Sequence, residues 1–221
     1  MRPTKIPRVK ICCIQSIEEA WMAIEYGASA IGLVSHMPSG PGVINEDLIA
    51  EIAAVIPPGV TSVLLTSQQN PALIIERHQK CKTNAIQLCD RISLVTPKEL
   101  QDTMPGVDII QVIHVTGKES IDEAVSIAPF VNGIFLDSGN KFLPVKELGG
   151  TGRIHDWSIS RMIRDRVETP IFLAGGLTPD NVADAIKQVE PFGVDVCSGA
   201  RTDGKLDEEK LREFMNMVNS I

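Results

Sequence analysis

Two titratable residues stand where short apolar runs end: Cys12 after Val9-Lys10-Ile11, and Asp137 after Gly133-Ile134-Phe135-Leu136. A thiol and a carboxyl across one pocket can divide a proton-transfer reaction, one removing a proton while the other supplies one. A free thiol has a pKa of roughly 8.5 and is a thiolate only to a few per cent at neutral pH; a nearby cation or helix terminus increases that fraction. Each residue also has a plainer reading. Cysteine often packs as a small hydrophobe, and an aspartate at a strand end can simply bond a loop.

A second feature lies near the C-terminus. Ile171-Phe172-Leu173-Ala174-Gly175-Gly176-Leu177-Thr178-Pro179-Asp180-Asn181 reads as a buried strand, a glycine pair and a helix start with Pro179 in the first turn. Glycines there let backbone N–H groups approach a ligand, and a helix N-terminus favours negative charge. Gly193-Val194-Asp195-Val196-Cys197-Ser198-Gly199 repeats the pattern one strand later. The expected occupant is a phosphate.

The elements that must carry these residues alternate throughout. The β-rich runs are Val9–Cys13, Ala30–Val34, Val60–Leu65, Ala85–Leu88, Asp108–Ile113, Gly133–Asp137, Ile171–Leu173 and Val194–Cys197. Each precedes a segment with helical apolar spacing, the weakest around Pro97–Met104. Eight uninterrupted β-then-α units predict an α/β fold, one (β/α)8 TIM barrel over residues 1–221, with 1–8 as a flexible N-terminal extension. Cys12 and Asp137 would then face the same mouth. The Gly- and Pro-rich stretches 37–42 and 138–152 become loops of that mouth, and Gly149-Gly150-Thr151-Gly152 either folds over a ligand or is a flexible connection.

Composition narrows the partners. Of 221 residues, 43% are hydrophobic and 22% charged, which suits one soluble core. A net charge of −7 and an aromatic content of 4% argue against nucleic acid and anionic membranes. No run approaches a membrane span. Five cysteines without a C-x-x-C predict a reducing, cytoplasmic setting and no metal site. Adjacent Cys12 and Cys13 are expected on opposite faces of a strand. Cys89 and Cys197 end strands and can line a pocket, as can His114, whereas Cys81 reads as packing. His36, His78 and His155 have no constellation around them. The pattern does not specify an oligomeric state.

Lys10-Ile11-Cys12, Gln87-Leu88, Leu136-Asp137-Ser138, Gly149-Gly150-Thr151-Gly152, Asp156-Trp157, Leu173 to Val182 and Val194-Asp195-Val196-Cys197-Ser198-Gly199 together resemble the phosphoribosylanthranilate isomerase family of tryptophan biosynthesis. The motifs run in the family's order over nearly the whole chain. The resemblance implies a phosphorylated small-molecule substrate and an Amadori rearrangement of an aminoaldose to an aminoketose, with no cofactor or metal. It implies Cys12 as general base, Asp137 as general acid, and backbone groups of Gly152, Gly175, Gly176, Ser198 and Gly199 around the phosphate.

The chain departs from the family's pattern at four places. Cys13 stands where the family usually has glycine. Pro38-Ser39-Gly40-Pro41-Gly42 holds no basic residue, where the family has a Ser-Pro-Arg-like turn whose arginine grips the anthranilate carboxylate. Leu64-Leu65-Thr66-Ser67 and Gln87-Leu88-Cys89-Asp90 replace two further family patterns. Arg201 is expected to assist at the phosphate end. Two alternatives follow: an isomerase of the same family acting on another phosphorylated sugar amine, or a non-catalytic barrel that binds a phosphorylated ligand.

Overall fold

The computed structural model describes residues 6–93 and 95–221. Its strands are β1 (Arg8–Ile11), β2 (Ala30–Val34), β3 (Thr61–Thr66), β4 (Ala85–Leu88), β5 (Asp108–His114), β6 (Gly133–Asp137), β7 (Ile171–Leu173) and β8 (Gly193–Val196). All neighbours pair in parallel, and β1 pairs with both β2 and β8, so the sheet is a closed eight-stranded barrel. The helices between and after the strands are α1 (Ile17–Glu25), α2 (Glu46–Val55), α3 (Pro71–Cys81), α4 (Val95–Thr103), α5 (Glu119–Ile127), α6 (Trp157–Arg166), α7 (Val182–Val189) and α8 (Glu208–Asn219). A short antiparallel hairpin, β9 (Arg201–Thr202) and β10 (Lys205–Leu206), lies between β8 and α8.

Local chemistry explains the helix starts. Ser16, Asn45, Asn70, Asp156 and Asp207 each accept a hydrogen bond from a backbone N–H of the first turn, satisfying donors that the helix itself cannot. The outer core, including Ile11, Ile31, Leu64, Ile86, Ile109, Ile134 and Val194, packs strands against helices. A second cluster fills the barrel itself, with Ala30, Val34, Val63, Leu65, Val112 and Phe135. Phe135 stacks on Phe172 with ring centroids 4.6 Å apart. Successive side chains of a strand alternate between these two layers.

Three boundaries differ from the sequence expectation. Arg8 already pairs with Gly193 and Pro7 is buried, so the expected extension over 1–8 gives way to barrel by that point; residues 1–5 lie outside the described residues. The helix expected to contain Pro179 begins at Val182. Thr178 N–H donates to Asn181 Oδ1 and Asn181 Nδ2 donates to the Gly176 carbonyl, so residues 177–181 form a side-chain-bonded turn before the helix. The weak fourth helix forms at Val95–Thr103, burying Leu100 against the outer core.

Candidate active site

The two-residue period of β1 places Lys10 and Cys12 on the barrel's inner side, one above the other. A Cβ at Gly32 would lie 2.9 Å from Lys10 Nζ and 3.0 Å from Cys12 Sγ, so this stack needs a glycine on β2. Lys10 is fully buried; its Nζ donates to Asp195 Oδ1 at 2.8 Å and sits 5.1 Å from the Phe135 ring centroid. Burial opposes its charge, but Asp195, and then Cys12, outweigh that and hold the Lys10 pKa above the ordinary lysine value. A fixed cation therefore stands directly beneath Cys12.

Cys12 and Cys13 lie just past the end of β1. The expected opposite orientation does not hold: Cys13 adopts φ +62°, which breaks the alternation, and both side chains line one cleft. Cys13 Sγ is 2.6 Å from Cys197 Sγ, across the β1–β8 seam. The Cys13 thiol's hydrogen bond lowers the Cys12 pKa; burial pushes it back, and the Lys10 ammonium lowers it again, leaving a net downward shift. The same bond, the Cys197 contact and burial raise the Cys13 thiol well above its usual range. Cys89 also borders the cleft, and burial drives its pKa up strongly. Of the cleft thiols whose shifts are resolved, Cys12 is thus the one favoured as thiolate.

Asp137 ends β6 and borders the same cleft. Its Oδ1 accepts from the Ser138 N–H at 2.6 Å, and Ser138 Oγ bonds Thr151 Oγ1 at 2.7 Å, tying the carboxyl to the long loop after β6. A Cβ at Gly175 would lie 2.9 Å from Asp137 Oδ1, and one at Gly149 3.0 Å from Oδ2; both glycines have positive φ. Behind it, His114 pairs in register with Asp137 but is 2% exposed and does not border the cleft. Burial lowers the His114 pKa, and its Nε2 has no partner among the described residues.

Gly152, Gly175, Gly176 and Ser198 border the far end of the cleft; Gly199 follows Ser198 in a 3₁₀ turn over Ser198–Ala200. Among the described residues, the backbone N–H groups of these five donate to no protein acceptor. Free N–H groups gathered from three loops form a cradle suited to an anion. Among the described residues, no lysine or arginine lines the cleft; the paired Lys10 lies beneath it. Arg201, expected at this end, is instead buried outside the cleft. Its Nη2 donates to Glu19 Oε2 at 2.9 Å and to the carbonyl of Cys13, holding the loop after β1 to the hairpin. The cause is Glu19, which α1 presents to it and which sequence spacing did not connect to Arg201.

The opposite end is built from Val34, Met37, Leu65, Gln87, Cys89 and Leu148. The loop after β2 closes across it: Ser39 Oγ donates to the Lys146 carbonyl at 2.7 Å, and a Cβ on Gly150 would strike Pro41. Asp90 is 6% exposed and bonded by Lys146 Nζ at 2.5 Å. The cleft leaves about 70 Å³ of space open to water. Among the described residues, no group of three His, Cys, Asp or Glu side chains is placed to hold a metal ion.

Comparison with known proteins agrees with this fold. The profile of a family described as "PRAI: N-(5'phosphoribosyl)anthranilate (PRA) isomerase" matches residues 9–217. An N-(5'-phosphoribosyl)anthranilate isomerase of Methanocella arvoryzae is 35% identical over 212 residues, covering 96% of this chain and 97% of that protein. Isomerase 2 of Methanosarcina mazei is 36% identical over 215 residues, covering 96% and 94%. The crystal structure of phosphoribosyl anthranilate isomerase from Thermotoga maritima superposes with a TM-score of 0.84 at 29% identity, over 98% of this chain and all of that one. On motif order, fold and these likenesses, the chain belongs to the N-(5'-phosphoribosyl)anthranilate isomerase family.

Proposed function

We propose that this protein catalyses the Amadori rearrangement of a 5-phosphoribosyl arylamine, the reaction for which its relatives are named, with N-(5'-phosphoribosyl)anthranilate as the reference substrate in tryptophan biosynthesis. Asp137, protonated, gives its proton to the ribose ring oxygen. The C1–O bond breaks as the amine nitrogen donates its lone pair, leaving an open-chain iminium. The Cys12 thiolate then takes the C2 proton, and the electrons of the C–H bond move to neutralise the iminium nitrogen. Tautomerisation of the resulting enol amine gives the 2-ketose. The N–H groups of Gly152, Gly175, Gly176, Ser198 and Gly199 hold the phosphate and so fix C1 and C2 between the two side chains.

One observation carries this reading: a thiol with a lowered pKa and a carboxyl border one cleft whose end holds unpaired N–H groups. Positioned proton transfer contributes roughly 10²–10⁴ in rate per group. Asp137→Asn and Cys12→Ala are each expected to lower kcat by that order, measured by the loss of phosphoribosylanthranilate fluorescence. Both variants should still bind inorganic phosphate like the unsubstituted protein. Unchanged kcat in both variants would reject the assignment. The cytoplasm is the proposed setting, since its reducing poise keeps Cys12, Cys13 and Cys197 as thiols.

A further inference from the structure

Proton transfer uses one thiol, Cys12; two others, Cys13 and Cys197, stand beside it with no part in that step. We propose that Cys13 and Cys197 form a dithiol modification site, which a small hydroperoxide oxidises to a disulfide that staples the β1–β8 seam and slows the enzyme. The effect on turnover rests on the isomerase reading; the bond itself does not.

Four observations support it. First, paired strands hold the two sulfurs together. β1 pairs with β8 as far as Ile11 and Val196, and the Cys12 N–H donates to the Val196 carbonyl at 2.8 Å. Just beyond, Cys197 Sγ donates to Cys13 Sγ at 2.6 Å. A disulfide bond is about 2.05 Å long, so closing it asks little of the backbone. Second, Cys13 is held in place by its surroundings. Its φ is +62°, a strained value for a residue other than glycine, and Arg201 Nη2 grips its carbonyl. Gly42 leaves it room, since a Cβ there would strike Cys13. Third, Cys197 is the part-exposed thiol of the cleft, whereas Cys12, Cys13 and Cys89 are buried. An oxidant entering from solvent therefore meets Cys197 first, and the small open space suits a hydroperoxide of a few atoms better than a bulky disulfide. Fourth, both cysteines adjoin groups that matter to turnover. Cys13 hydrogen-bonds Cys12, and Cys197 directly precedes Ser198 and Gly199 of the anion cradle.

The chemistry balances with the hydroperoxide as oxidant. The Cys197 sulfur attacks the terminal oxygen, the O–O bond breaks, and the departing oxygen leaves as an alcohol, or as water from hydrogen peroxide, with the thiol's proton. Cys197 is then a sulfenic acid. The Cys13 sulfur attacks it, the S–S bond forms, and hydroxide leaves with the Cys13 proton as water. Two thiols lose two electrons in all, and the O–O bond gains them. The product has no S–H at Cys13 to offer Cys12.

The test treats the reduced full chain with hydrogen peroxide, alkylates the remaining thiols and maps peptides without reduction. Free thiols should fall from five to three, with fragmentation placing the bond between Cys13 and Cys197 and leaving Cys12 alkylated. Turnover of phosphoribosylanthranilate at pH 7 should fall about tenfold, the scale of a weakened thiolate base, and return with dithiothreitol. Each variant is compared with its own untreated sample. Cys197→Ser should lose the bond and most of the peroxide sensitivity, whereas Cys81→Ser should keep both. The mapping on the unsubstituted protein decides the site even where a variant folds poorly. A bond from Cys12 to either neighbour, or oxidation that yields no disulfide, overturns the inference. A Cys13–Cys197 bond that leaves turnover unchanged overturns the regulatory effect. Absence of turnover before any treatment rejects the isomerase reading, while the mapped bond still decides the dithiol site.

Discussion

Cys13 changes the chemistry of its neighbour rather than its own. Its hydrogen bond is the largest influence lowering the Cys12 pKa, ahead of the opposing effect of burial and the help of Lys10. Removing it in Cys13→Ala should therefore raise the Cys12 pKa. The alkaline rise of kcat/KM, which follows the thiolate, should move to higher pH, and activity at pH 7 should fall roughly tenfold. A parallel check is the pH dependence of iodoacetamide labelling at Cys12. It should shift in the same direction, with phosphate-bearing ligands protecting the thiol. An unmoved profile would return Cys13 to a packing role. Lys10 presents a different balance. Its ammonium is buried and held by Asp195, so Asp195→Ala strands a charge in the barrel and should cost about 3–5 kcal/mol in urea unfolding.

At the scale of elements, the loops rather than the strands set the site's limits. Gly175 has φ +83° and sits against Asp137 Oδ1. Gly175→Ala combines the cost of a left-handed alanine, about 1–2 kcal/mol, with displacement of the carboxyl. Kinetics should show a fall in kcat larger than any change in KM, and calorimetry a lowered Tm. The strands themselves were legible in the sequence because eight β-rich runs alternate with helical spacing, and the placement of Cys12 and Asp137 at one mouth was legible because each ends such a run. What the pattern missed has specific causes. The left-handed backbone at Cys13 defeats the two-residue alternation, and this put Cys12 and Cys13 on opposite faces in the expectation but into one cleft in the fold. Asn181 bonds its own turn and delays α7 by one turn past Pro179. Arg201 finds Glu19 182 positions away, a pairing that no local spacing encodes.

For the whole molecule, acid is the sensitive condition. His155 is part-buried, bonded through Nε2 to Ser160 Oγ, and burial lowers its pKa to about 4. Its folded pKa lies below the unfolded value near 6.5, so above that pH both states are neutral and stability is unaffected. Below it the unfolded chain binds a proton that the native site refuses, and stability falls until the folded pKa is reached. Between pH 6.5 and pH 5 this amounts to about 2 kcal/mol. Urea unfolding should show that loss, and His155→Gln should flatten it. The seam of the barrel has a consequence in time. Lys10 and Asp195 are 185 positions apart, and β1 finds one of its two edges only in β8. A ribosome adding about 5–20 residues per second reaches Asp195 roughly ten to forty seconds after Lys10. Through that interval β1 has an unpaired edge and a lysine that water must keep solvated. Cys12 and Cys13 are thus among the earliest cleft residues to be synthesised, yet Cys13 gains its contact across the seam, Cys197, only when nearly nine-tenths of the chain has been made.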